Sequence, residues 1–300
     1  MIICFKIILR DIYKFENNLS GKRINQLEGK MKATVIVDNI SSGDISGEWG
    51  LCILIEYGEK KILLDTGASN LFAYNADKLN LSVKDIDIAV LSHAHYDHAN
   101  GIEKFFELNH KAKLYLQDSC AENCYSKKWI YHKYIGIPRG VMKKHQDRIK
   151  YVSGDYRICE GISLISHKTS GLNEIGKREK MYKKIKGKWY PDDFSHEQSL
   201  VFETSKGLII FNSCSHAGVV NIINEVATTY PQKKVIAIIG GFHIYNKSEN
   251  EIRELAKMIK DTGIEYVCTG HCTGKKAYEI LNEELGDVLH QLRVGLIINF

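Results

Sequence analysis

Four residues within six positions carry the densest chemistry of the 300-residue chain: His93, His95, Asp97 and His98 in the segment HAHYDH. Imidazole nitrogens and carboxylate oxygens are ligands for zinc, manganese or iron. On extended backbone successive side chains alternate, so positions 93, 95 and 97 share one side. His93 and His95 then chelate one cation, while Asp97 and His98 face a second. A loop that needed only polarity would not gather three imidazoles, which repel one another when protonated. Ions held there, singly or as a pair about 3.5–4 Å apart, would bring bound water toward a pKa of ~7 and polarise a phosphoryl, carbonyl or ester oxygen. Asp97 is placed both to ligate and to accept a proton. Serine and nucleotide chemistries have no comparable support: G-x-S-x-G, G-x-G-x-x-G after a strand, and G-x-x-x-x-G-K-[ST] are all absent from the sequence.

The elements that must position this segment can be read from periodicity. Ile88–Leu91 is an apolar run of buried-strand type, and it leads straight into HAHYDHANG, whose polarity and closing Asn-Gly predict a loop. Strands are expected at Ala33–Val37, Cys52–Glu56, Lys61–Leu64 and Leu114–Leu116. Helices are expected over SNLFAYNADKLN, with Ser69 as N-cap, and over Glu103–Leu108. The second half alternates strands at Leu200–Glu203, Leu208–Phe211, Val235–Ile239, Tyr266–Cys268 and Gly295–Asn299 with helices at Val219–Thr229, Glu249–Thr262 and Lys275–Leu285. Alternating strands and helices indicate an α/β class, and the polar loops NSCSHAG, GGFH and TGHCTG follow strand ends, where such folds build sites.

Composition narrows the setting. Hydrophobic residues make up 44% and charged residues 26%, an ordinary globular balance that excludes a disordered or fibrous chain. The longest apolar runs are about five residues, against roughly 18 for a membrane span. Net charge is +5, but residues 127–188 hold 17 Lys and Arg against five Asp and Glu, a local surplus of +12 over a remainder of −7. This stretch, rich also in Tyr and Trp, is expected to be a basic insertion or lid that attracts a small anion. Such a confined surplus argues against nucleic acid as the main partner. Residues 1–30 read as a weakly ordered extension: Lys6 interrupts the apolar start and no cleavage site of small residues follows. The eight cysteines form no CxxC…CxxC pattern and suggest reduced thiols in the cytoplasm, with Cys120 and Cys124 spaced to share a helix face.

HAHYDH resembles the HxHxDH signature of the metallo-β-lactamase superfamily, and DTG at Asp65–Gly67 resembles that superfamily's first motif. EWG at Glu48–Gly50, Glu197–Gln198, SCSHAG, GGFH and TGHCTG are together similar to one branch, named after the 4-(β-D-ribofuranosyl)aminobenzene 5′-phosphate synthase of methanopterin biosynthesis. The resemblance implies a four-layer αββα sandwich over residues 31–300 with one or two divalent ions, zinc before manganese or iron, at one edge. It implies that His216 completes a first site with His93 and His95, and that His271 completes a second with Asp97 and His98. Asp65 would orient a ligand histidine. Where many members bridge two ions with a carboxylate, the strand end here reads NSCSHAG, so the second ion should bind more weakly and Cys214 is the one substitute on offer. His243, freed by Gly240 and Gly241 to approach closely, is a candidate for substrate contact or proton transfer, against a purely structural hydrogen bond. His110, His132, His145, His167, His196 and His290 read as surface or satisfied histidines. The leading expectation is a metal-dependent hydrolase of a small phosphorylated or pterin-like anion. The alternatives are a transferase joining a ribofuranosyl-aminobenzene phosphate to a dihydropterin pyrophosphate, a nuclease, and a non-catalytic metal-binding protein.

Overall fold

Alternation of side chains along the strands sorts the apolar residues into layers. A computed structural model describes residues 31–300; the expectation for residues 1–30 lies outside them. Ile53, Ile55, Ile62, Leu64 and Val90 of one sheet face Leu164, Leu200, Phe202, Ile209 and Phe211 of another, and together they form the central core. The intervening residues point the other way. Leu54, Leu63 and Ala89 meet Phe72, Ala76, Phe105 and Phe106 from the helices Leu71–Lys78 and Ile102–Leu108. On the far side Val201, Ile210, Ile238 and Val267 meet Ile222, Val226, Ala256, Ile259 and Leu281 from the helices Val219–Thr229, Glu249–Asp261 and Lys275–Leu285. Helix, sheet, sheet and helix therefore stack as the expected four layers.

Among the described residues each main sheet has seven strands. In the first, Lys60–Leu64, Ile88–Val90, Lys113–Gln117 and Ile149–Val152 run parallel, as do Leu208–Phe211, Val235–Gly240, Tyr266–Thr269 and Leu289–Gln291 in the second. Parallel neighbours end on the same edge. The segments that follow Leu64, Val90, Phe211, Gly240 and Thr269 are thus delivered together, and they carry Asp65, the HAHYDH segment, Cys214, His216, His243 and His271. Ligand sites beyond the carboxyl ends of parallel strands are the general rule for such sheets.

Three local expectations are corrected. HAHYDHANG is not wholly a loop: His95 is extended, but Tyr96–Ala99 forms one helical turn, which places Asp97 and His98 by helical rather than extended geometry. The helix Leu71–Lys78 is preceded by Asn70 at the N-cap position, not Ser69; the Ser69 hydroxyl instead accepts the Leu71 amide at 3.0 Å. Cys120 and Cys124 share no helix, because Cys124 opens the strand Cys124–Lys128.

The basic stretch 127–188 is divided rather than a single flap. Ile149–Val152 closes the edge of the first sheet, and Tyr156–Cys159 and Ile162–Ser166 belong to the second. What stands apart is a separate four-stranded sheet made of two hairpins, Cys124–Lys128 with Tyr131–Tyr134 and Met181–Ile185 with Lys188–Pro191. Charge run-length follows the chain, whereas sheet membership follows pairing between segments distant in sequence. Among the described residues no helix is long and apolar enough to cross a membrane.

Phe202 is fully buried between the sheets, with its ring 5.2 Å from Tyr57 and 5.7 Å from Phe211. Phe202→Ala should lower unfolding free energy by about 3–5 kcal/mol in denaturant titrations; a loss below about 1 kcal/mol would mean that the two sheets do not pack through this ring.

Candidate metal centre

Asp97, His98 and His271 present one oxygen and two nitrogens to a common point. His98 Nε2 lies 3.2 Å from His271 Nε2, and Asp97 Oδ2 lies 3.7 Å and 3.5 Å from the same two atoms. Cys214 Sγ adds a fourth corner, 3.3 Å from His98 Nε2. Donors bonded at 2.0–2.3 Å around a tetrahedral zinc stand about 3.3–3.8 Å apart. The spacing of these four donors fits one metal ion.

His93, His95 and His216 form the second convergence, with their donor atoms all within 4.8 Å of one another. Their Nε2 atoms are buried and have no hydrogen-bond partner among the described residues, and the same holds for both ring nitrogens of His243. A buried polar atom without a partner is costly; lone pairs directed at an ion would offset that cost at the three Nε2 atoms, and His216 Nδ1 has no partner there either. The His216 ring is clamped by stacking on Phe194, with centroids 4.5 Å apart and planes 2° apart. The Cys214 thiol also joins donor groups with His93 and His98, with His271 and Cys272, and with His216 and His243, so it sits between the two positions.

Surrounding residues set which ring nitrogen is free. Asp65 Oδ2 faces His98 Nδ1 at 2.8 Å and accepts the hydroxyls of Ser92 and Ser213, while its Oδ1 accepts the Ser92 amide. Since the Ser92 hydroxyl donates to Asp65, it accepts from His93 Nδ1 at 2.8 Å. Asn39 Oδ1 lies 3.1 Å from His271 Nδ1 and Asp38 Oδ2 accepts the His271 amide. With each Nδ1–H so engaged, Nε2 is left to ligate. Trp49 Nε1 donates to Asp97 Oδ2 at 3.0 Å. The buried Glu197 carboxylate accepts the amides of His216 and Ala217 at 2.9 and 3.0 Å. Reading the sequence assigned roles to none of Asp38, Asn39, Trp49, Ser92, Glu197 or Ser213, although EWG and the Glu-Gln pair stood out as motifs.

Asp192, His196 and Cys124 also approach His95. Here the Ala94 amide donates to His196 Nδ1 at 3.2 Å, so Nε2 carries the proton and faces Asp192 Oδ2 at 3.2 Å. His196 is therefore a satisfied buried residue that pins the backbone between His93 and His95. His167, paired with Glu225 at 3.0 Å, is satisfied likewise.

Electrostatics divide the histidines. Burial, reinforced by neighbouring imidazoles, pushes His93 and His216 well below the ordinary imidazole range and His95 down to about 3. Neutral imidazole is the ligating form. Burial would also lower His271, but the sulfur of Cys272 and the carboxylates of Asp97 and Asp38 outweigh it and raise it to about 9. Burial would raise Asp97; His98 and His271 override it and hold the carboxyl well below its usual range. Asp65, Ser215, His243 and His271 all adopt positive φ, 60°, 53°, 50° and 46°. Such conformations cost of order 1–3 kcal/mol each and persist where the surroundings over-determine them.

A cleft of about 200 Å³ opens over the cluster, lined by Trp49, His95, Asp97, Cys214, His216 and His243, with Lys128 and Lys133 of the hairpin sheet at its wall. A second cavity of about 260 Å³, walled by Ile175, Phe242, Ile252 and Leu255, meets it at His216 and His243.

The sequence profile of the metallo-beta-lactamase superfamily matches residues 50–198, which include the whole HAHYDH segment. The 7,8-dihydropterin-6-methyl-4-(beta-D-ribofuranosyl)-aminobenzene-5′-phosphate synthase of Methanocaldococcus jannaschii is 30% identical over 267 residues, covering 84% of this chain and 90% of its own. The chain belongs to the metallo-beta-lactamase superfamily. The crystal structure of Tm1679, described as a metal-dependent hydrolase of this superfamily, superposes with a TM-score of 0.77 at 28% identity, over 89% of this chain and 98% of its own. Zinc-bound PqqB from Methylobacterium extorquens shares the fold, with a TM-score of 0.57 at 11% identity over 90% of this chain and 100% of its own. The superfamily fold expected from the motifs is thus the fold observed.

His93→Ala removes one of three donors at its position and should abolish most bound metal there, measured as metal per chain by elemental analysis; unchanged stoichiometry would contradict the assignment. Asp65→Asn keeps the size but loses the negative charge and one of the two acceptor oxygens that hold His98, Ser92 and Ser213. It should weaken metal binding about 10–100-fold in chelator competition, and an unaltered affinity would show that Asp65 does not orient a ligand.

Proposed function

We propose that the protein is a metal-dependent hydrolase of a small phosphorylated anion, with one or two divalent ions, zinc first among them. The observation that carries this reading is the meeting of two convergent donor sets, one of them tetrahedrally spaced, beneath a cleft walled by Lys128 and Lys133. His93, His95 and His216 would hold one ion, and Asp97, His98 and His271 the other, with Cys214 between them. Bound ions there supply Lewis-acid polarisation of a phosphoryl oxygen and a water whose pKa approaches ~7.

The remaining work falls to the chain. Trp49 engages Asp97 Oδ2, and the carboxylate's second oxygen is the proton acceptor for the attacking water. His243, whose ring nitrogens have no partner among the described residues and whose ring lies 4.4 Å from His216, would pass a proton to the leaving group. Lys128 and Lys133 neutralise the anionic end of the substrate, and the apolar cavity beyond His216 takes its organic end. Seven free cysteines among the described residues suit a reducing compartment such as the cytoplasm.

A second reading, transfer rather than hydrolysis, is favoured by the name of the archaeal synthase at 30% identity. In that version the same centre would activate a dihydropterin pyrophosphate for attack by an aryl-ribosyl phosphate. Product analysis separates the two. Hydrolysis releases inorganic phosphate or a cleaved ester from a single substrate, whereas transfer gives a condensed aryl-pterin and pyrophosphate only when both substrates are present.

Lys128→Ala combined with Lys133→Ala should raise KM for the anionic substrate by about 10-fold while changing kcat little. Steady-state kinetics check this, and an unaffected KM would show that the hairpin sheet does not contribute to substrate capture.

A further inference from the structure

Resting on the metal reading above, we propose that Cys272 is a ligand of the second ion, so that two thiolates, Cys214 and Cys272, join Asp97, His98 and His271 in holding it. The two sulfurs lie 3.4 Å apart, and Cys214 Sγ lies 3.3 Å from His98 Nε2. Cys214, His271 and Cys272 bring their donor atoms within 4.8 Å of one another. That spacing suits donors on one ion.

Packing does not explain this pair. Buried cysteine usually behaves as a small hydrophobe, and three others do: Cys268 lies in the core between the sheets, and Cys52 and Cys120 in the outer helical layer. Cys214 and Cys272 belong to none of the apolar clusters. Both line the cleft over the ligand histidines instead.

The backbone is arranged to bring the Cys272 sulfur inward. On extended chain His271 and Cys272 would point to opposite sides, but His271 takes φ 46° and begins a short 3-10 turn, His271–Thr273, that turns both toward the cluster. The His243 amide donates to Cys272 Sγ at 3.2 Å, as suits a sulfur bearing negative charge. Gly241 leaves the space this sulfur needs, since a Cβ there would stand 2.6 Å from it. On binding, each thiol gives up its proton to solvent as the metal–sulfur bond forms. Two thiolates would also favour zinc over manganese, a harder ion suited to oxygen donors.

Cobalt(II) substitution of the full chain tests this through absorption, independently of turnover. Metal-free protein reloaded with cobalt should show a near-ultraviolet sulfur-to-cobalt charge-transfer band. Cys272→Ser and Cys272→Ala should each reduce it by about half, Cys214→Ser with Cys272→Ser should abolish it, and Cys268→Ser should leave it intact. A Cys272 variant that binds cobalt with the full wild-type band would overturn the proposal. Wild-type protein that takes up cobalt without any such band would overturn it too, while leaving the metal site standing. A wild-type chain that takes up no cobalt or zinc would overturn both readings.

Discussion

The buried Asp65 carboxylate joins the two halves of the molecule at the site. It receives the Ser92 amide and hydroxyl and the His98 ring from the first sheet's edge, and the Ser213 hydroxyl from the second's. A carboxylate with no exposure is tolerable only when its oxygens are saturated in this way. Its partners are in turn the residues that must be held still: His98 directly, His93 through Ser92, and the Cys214–His216 segment through Ser213. Loosening this one group would free both candidate ion positions and the seam between the sheets together.

Around that anchor, the site is built from conformations that a chain would otherwise avoid. Four non-glycine residues with positive φ flank it, at Asp65, Ser215, His243 and His271. Six imidazole nitrogens, on His93, His95, His216 and His243 and including both of the latter two, are buried with no partner or lie against one another. The two seven-stranded sheets and their three apolar clusters supply the stability against which this strain is held. An ion bound among those nitrogens would relieve the polar part of it, coupling metal content to stability as well as to chemistry.

Charge is distributed for the same purpose. Neutral imidazoles cluster at the first position, whereas the second gathers Asp97, the raised His271 and the two sulfurs. The lysines that face the cleft are Lys128 and Lys133 on one hairpin. Others of the same run have different duties: Lys183 is buried against Asp193, and Lys184 sits over the Trp189 ring.

Much of this was legible in the order of residues. The HAHYDH spacing makes metal ligation the expectation, because few other demands concentrate imidazoles and a carboxylate within so short a stretch of chain. Strand and helix periodicity gave the layered class, since alternation of period two and runs of helical length are local properties. The superfamily motifs extended this to the sandwich, and they picked out His216 and His271, which fold beside the HAHYDH segment. Other features depend on contacts between distant segments. Asn39 meets His271 across 232 positions, Trp49 meets Asp97 across 48, and Asp65 meets Ser213 across 148; polar residues of these types have many structural uses, and only folding shows what each one touches. The helical turn at Tyr96–Ala99 overrode local polarity because its residues are buried against the strand ends. The division of the basic stretch among three sheets, and the approach of Cys214 to Cys272, were settled by strand pairing, to which distance along the chain is no guide.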